Sequence, residues 1–101
     1  MIKHIVLFKL ADEAEGNPKA VNAAIIKQRL EALKDSIPEI LKMEVSINHP
    51  DSPTGNHDIM LDSEFKNLDD LQTYIEHPEH QKVGGFIVKV RTERAAIDYE
   101  F

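Results

Sequence analysis

The chain has 101 residues and a mass of 11.5 kDa, a size that suits one domain with a single core. It carries 12 basic and 18 acidic residues, and the resulting charge of −6 argues against non-specific binding to nucleic acid or to anionic membranes. Because cysteine is absent, disulfides, thiolate nucleophiles and cysteine-bound metal centres are excluded.

The opening segment Met1–Leu10 is apolar, but it is too short to cross a bilayer, which takes roughly 20 apolar residues. It lacks the small-residue cleavage site of a signal peptide and leads directly into acidic residues. We therefore interpret it as a strand, apolar on both faces, and we expect a cytoplasmic protein with no membrane contact.

A long amphipathic helix follows an acidic loop. Asn17 is the expected N-cap and Pro18 the expected first helical residue, where the missing N–H costs nothing. Apolar residues then recur at helical spacing as far as Ile37, and Pro38 predicts that the helix ends there.

The second half of the chain begins with two strands. Period-two alternation predicts one over residues 41–48 and the next over His57–Phe65, with a loop rich in turn formers between them. Asn67 is the expected cap of a short helix with Leu68, Leu71 and Tyr74 on its apolar stripe.

A second short helix is expected over Pro78–Val88, with His77 near its cap, and a last strand over Arg94–Phe101. The order βαββαβ predicts an α+β fold of ferredoxin-like type, a four-stranded antiparallel sheet with helices on one face. Since the other face of such a sheet needs cover, we expect a homodimer formed through the sheet face.

The segment around His80 is the densest chemical cluster. His80 shares a helical stripe with Val83 and Ile87, and Tyr74 lies on the inward stripe of the preceding helix. A desolvated histidine is neutral and accepts a proton, and a tyrosine hydroxyl beside it can orient a carbonyl group. We expect these two residues to share a pocket lined by His4, Val6, His57, Ile59 and Phe86.

Several of these residues also have simpler structural interpretations. His80 alone can be a core residue, and His77 can be a helix cap. A zinc site on His77 and His80 lacks a third ligand in sequence, so no metal and no cofactor is expected. Gly84 within the last helix indicates close packing, free space for a ligand, or a helix end. Arg91 and Arg94 are interpreted as part of a solvated rim.

The whole chain resembles the stress-responsive dimeric α/β-barrel (Dabb) family. The resemblance rests on Met1–Leu10 and on the motif His-Pro-Glu-His-Gln at 77–81. Shorter matches are Ile37-Pro38, Ser63-Glu64-Phe65 and Asp98-Tyr99-Glu100. It implies a ferredoxin-like protomer whose sheet packs on that of a second copy, so that residues 1–101 form a single domain.

Most members of that family have no assigned function. A few plant members resemble cofactor-free polyketide cyclases, and this likeness implies His80 as general base and Tyr74 as its neighbouring donor. Three hypotheses follow: a non-catalytic homodimer whose pocket binds a small apolar or phenolic ligand, a cyclase-type enzyme, and a cofactor-free monooxygenase.

Overall fold

The computed structural model describes all 101 residues. The elements in chain order are β1 (Ile2–Leu10), β2 (Glu13–Ala14), β3 (Asn17–Pro18), α1 (Lys19–Ser36), β4 (Lys42–Ile47), β5 (Ile59–Phe65), α2 (Leu68–Glu76), α3 (Pro78–Val90) and β6 (Arg91–Glu100). The main sheet has the antiparallel order β4-β5-β1-β6, and the predicted ferredoxin-like α+β fold is confirmed.

Alternation along β1 fixes which face of the sheet meets the helices. Every even-numbered residue from Ile2 to Leu10 is buried, and every odd-numbered residue between them is half-buried. Val6 lies at the centre of this pattern, opposite Leu61 of β5 and Ala96 of β6. A single cluster of 20 buried apolar residues lies between this face and the helices, and burial of such apolar surface is the main stabilising term.

The start of α1 differs from the prediction. Asn17 belongs to the short strand β3, and Pro18 is the N-cap without a side-chain hydrogen bond. The acidic loop forms a small hairpin instead, with Gly16 at a φ of 76° in its turn, a conformation that glycine adopts without strain. The predicted end is confirmed, because Ile37 is extended and follows the last helical residue.

Local capping explains the two short helices. The Asp70 amide donates to Oδ1 of Asn67 over 2.8 Å, and the Glu79 amide donates to Nδ1 of His77 over 3.1 Å. Leu68, expected on the apolar stripe, is 60% exposed because it occupies the first helical position, where the chain leaves the sheet.

The last strand, β6, begins at Arg91 directly after α3, three residues earlier than the expected start at Arg94. It pairs with β1 along its whole length. Because β6 begins at Arg91, both Arg91 and Arg94 lie on this strand.

The face of the sheet opposite the helices is open and partly apolar. Ile5 and Leu7 are half-buried there, while Met60, Ile97 and Tyr99 are exposed. We call these five residues, together with their neighbour Ala95, the open apolar face. None of the helices is long and apolar enough to cross a membrane.

Candidate functional site

A cavity of about 120 Å³ lies between β1, α2 and α3 on the helix side of the sheet. Its apolar wall comes from β1, α1, β5 and α3. Its polar groups are contributed by four separate parts of the chain, and they are His4, Tyr74, His80, Arg91 and Arg94. A cavity of roughly 150 Å³ holds a benzene molecule, so this one suits a single ring or a short branched chain.

Several depressions are larger, and two of them, of about 560 and 580 Å³, surround the loop between β4 and β5. Most of their lining residues are polar. Neither depression contains His80 or Tyr74, and the smaller cavity is therefore the one where titratable groups meet an apolar wall.

Tyr74 supplies a hydroxyl that has no partner within the protein. Its side chain is 1% exposed, and the hydroxyl makes no hydrogen bond. Burial raises the pKa of Tyr74 well above its usual value of 10, while the charge of Arg94 acts in the opposite direction. The hydroxyl accordingly stays protonated and keeps an unused hydrogen-bond donor.

His80 presents one ring nitrogen for chemistry. Its Nδ1–H donates to the carbonyl oxygen of Ile75 over 3.0 Å, which leaves Nε2 as the unprotonated nitrogen of the neutral ring. Burial lowers the pKa of His80 below 6.5, and the nearby charge of Arg94 lowers it further, although the bond to Ile75 opposes the shift. The ring is therefore neutral near pH 7, and its Nε2 is a proton acceptor.

The two rings are in direct contact. The centroids of Tyr74 and His80 lie 4.4 Å apart at an interplanar angle of 52°, and the His4 ring lies 6.4 Å from that of Tyr74. His4 is buried, and its Nδ1–H donates to Oδ1 of Asp98 over 2.5 Å. The cavity thus holds two imidazoles, each held by an acceptor bound to its Nδ1.

Gly84 forms part of the cavity wall, one helical turn after His80. A methyl group added at its Cα would meet no atom within 4 Å, and α3 continues to Val90. The helix therefore neither ends at this glycine nor packs closely there. Of the three interpretations above, the geometry favours free space for a ligand.

Three residues expected at the pocket lie elsewhere. His57 precedes the start of β5, and its Nε2 lies 3.9 Å from Glu93, while Ile59 lies in the core at that end of the sheet. Phe86 is not among the residues that line the cavity, and its ring packs against the Arg29 guanidinium, which lies 4.9 Å from the ring centroid. Periodicity predicts which face of an element is buried, but it does not predict which residues of that face line a pocket.

The structure adds polar groups that the sequence did not single out. Asp98 holds His4 from a strand 94 residues further on, and Arg91 and Arg94, interpreted as a solvated rim, line the cavity. No group of three or more His, Asp or Glu side chains is arranged to hold a metal ion.

These features define a ferredoxin-like α+β protein with a small cavity, rich in histidine, between its sheet and its last two helices. The profile of the Stress responsive A/B Barrel Domain (Dabb) family matches residues 2–101, and the chain belongs to this family.

The three relatives described next are uncharacterized or of unknown function. An uncharacterized protein of Streptomyces coelicolor is 33% identical over 101 residues, the full length of both chains. A dimeric protein of unknown function from Bacteroides fragilis, with a ferredoxin-like fold, is 43% identical; the alignment covers 99% of this chain and 95% of that one, with a TM-score of 0.88. A dimeric ferredoxin-like protein from Thermobifida fusca is 22% identical over 99% and 90% of the two chains, with a TM-score of 0.83, and shows the fold alone.

Proposed function

We propose that the cavity binds a small carbonyl compound with an apolar or phenolic body, and that His80 removes a proton next to the carbonyl as a general base. Tyr74 donates a hydrogen bond to the carbonyl oxygen as negative charge develops on it. One observation carries this proposal: His80, whose Nε2 is left unprotonated, and Tyr74, whose buried hydroxyl has no partner, line the same cavity.

The division of roles follows from the direction of the two pKa shifts. Burial disfavours the charged form of each group, so Tyr74 keeps its proton and His80 lacks one. A donor and an acceptor in contact are what enolisation of a ketone requires, and the aldol chemistry of a cyclase begins with that step. No cofactor takes part in this proposal.

Proton exchange tests it without knowledge of the natural substrate. Acetophenone in D₂O is the probe, and NMR follows loss of its methyl proton signal. The wild-type protein should accelerate exchange, and His80→Gln should reduce the acceleration by about 100-fold, in the range of general-base catalysis. His49→Gln, in the exposed loop after β4, is the matched control.

If the wild-type protein binds acetophenone but exchanges it no faster than buffer, the second candidate replaces the first. In that case the cavity is a non-catalytic binding site for a small ligand, a role supported by its apolar wall and by the space beside Gly84. A monooxygenase would consume dioxygen with a phenolic substrate, which an oxygen electrode detects.

We further propose that residues 1–101 act as one domain and form a homodimer through the open apolar face. The single core supports the first statement. The exposed apolar side chains on the sheet and the dimeric relatives from Bacteroides fragilis and Thermobifida fusca support the second. A cytoplasmic location remains a prediction from the sequence.

A further inference from the structure

Two cationic side chains at the cavity have no counterion within the protein. Arg91 is half-buried directly after α3, and Arg94 is exposed three residues further along β6. Neither guanidinium takes part in any of the ion pairs or side-chain hydrogen bonds of the structure. The five donors of each are therefore free to bind an external acceptor.

Their placement is unusual for a chain with a net charge of −6. Eighteen carboxylates are available, yet two of the three arginines line the one cavity where an unpartnered hydroxyl, that of Tyr74, is buried. Arg94 lines the same cavity as Tyr74 and His80. A neutral ligand would leave both guanidinium groups without a counterion.

We infer that the molecule bound in this cavity is a small organic anion, a carboxylate on an apolar body of about one ring, with its carboxylate held by Arg91 and Arg94. The apolar body enters between Val6 and Ile87, in the space that Gly84 leaves open. Arginine suits this role because its planar guanidinium donates two parallel hydrogen bonds to one carboxylate. The inference rests on the proposed function and specifies its substrate class as a keto or phenolic acid.

A pair of ligands that differ mainly in charge tests the inference. Benzoate and benzyl alcohol have the same ring, and calorimetry gives both dissociation constants, while the His80 ring proton resonances show whether each ligand occupies the cavity. We expect benzoate to bind at least 10-fold more tightly. Raising NaCl from 50 to 500 mM should weaken benzoate alone, because salt screens exposed charges.

Single substitutions then test whether Arg91 and Arg94 cause the preference for benzoate. Arg91→Gln and Arg94→Gln should each weaken benzoate binding about 10-fold and leave benzyl alcohol unchanged. Arg29→Gln removes the same charge from the chain but at the Phe86 contact, so it controls for net charge and should have no effect. Circular dichroism confirms that each variant is folded.

The possible results distinguish failure of the anion inference from failure of the proposed function. Equal binding of the two ligands, or a benzoate preference that survives in the Arg91→Gln/Arg94→Gln double variant, overturns the anion inference and leaves the proposed function standing. Failure of both ligands to perturb His80 in the wild-type protein overturns the inference and also removes the binding site on which the proposed function depends.

Discussion

The ring of His80 lies against that of Tyr74, with centroids 4.4 Å apart, and burial acts on the two groups in complementary ways. It keeps the proton on the phenol and takes the proton from the imidazole. A donor and an acceptor are thereby fixed side by side near neutral pH, although neither is charged.

Stability should depend on pH through His80. Because its pKa in the folded protein lies below the ordinary value of 6.5, the unfolded chain binds the proton more readily between those two pKa values. The free energy of unfolding therefore rises with pH across this window and gains nothing more from His80 above it. Urea unfolding between pH 5 and 8 measures this, and NMR titration of the ring gives the folded pKa.

The His80→Gln variant should lose this part of the pH dependence, whereas the exposed control His49→Gln should keep it. Comparison of the two separates His80 from carboxylates such as Glu31, whose pKa is lowered by its bond to the Val45 amide and which titrates at lower pH. An unchanged slope in His80→Gln would show that the imidazole is not desolvated in solution.

Tyr74→Phe should stabilise the protein while slowing the proposed proton exchange. The hydroxyl has no partner, and an unsatisfied buried polar group costs about 1–3 kcal/mol. Its removal should raise the free energy of unfolding by about 1 kcal/mol and slow acetophenone exchange. Urea denaturation provides the first number, with Tyr99→Phe on the exposed face as the control; a loss of stability would contradict the unpartnered state.

Gly84 and its neighbour Gly85 form a matched pair for testing the cavity. Neither has an atom within 4 Å of an added methyl group, so alanine at either position should raise the free energy of unfolding by up to about 1 kcal/mol through helix propensity. Substitution by leucine distinguishes the two positions, because only Gly84 lines the cavity. Gly84→Leu should abolish binding of benzoate, as measured by calorimetry, and Gly85→Leu should not; equal effects would place the ligand elsewhere.

The homodimer proposal predicts a selective effect of charge on the open apolar face. Ile97 is 60% exposed in the protomer, so Ile97→Asp should leave the protomer fold intact and dissociate the dimer by burying an unpaired carboxylate. Light scattering after size-exclusion chromatography reports the mass. Leu68→Asp, at a residue equally exposed at the start of α2, should remain dimeric. A wild-type monomer at micromolar concentration would refute the proposal.

Local chemistry made much of the fold predictable. Period-two alternation in β4 and β5 depends on which side chains meet the core, and the Asn67 and His77 caps depend on atoms two or three residues away. The inward stripe that carries Tyr74 and His80 follows from helical spacing for the same reason. The predicted start of α1 was wrong because β2 and β3 have only two residues each, too few to show a period-two pattern.

Which side chains meet at the cavity was decided by the tertiary structure alone. Asp98 reaches His4 only because β6 pairs with β1, and the same pairing brings Arg94 opposite Phe8, beside the helices. Periodicity tells which face a side chain occupies, but not how far along that face a pocket opens, and for this reason His57 was expected at the cavity but lies outside it, before β5 and near Glu93. The sequence by itself therefore determined the elements and their buried faces, whereas long-range strand pairing determined which charges and hydroxyls meet.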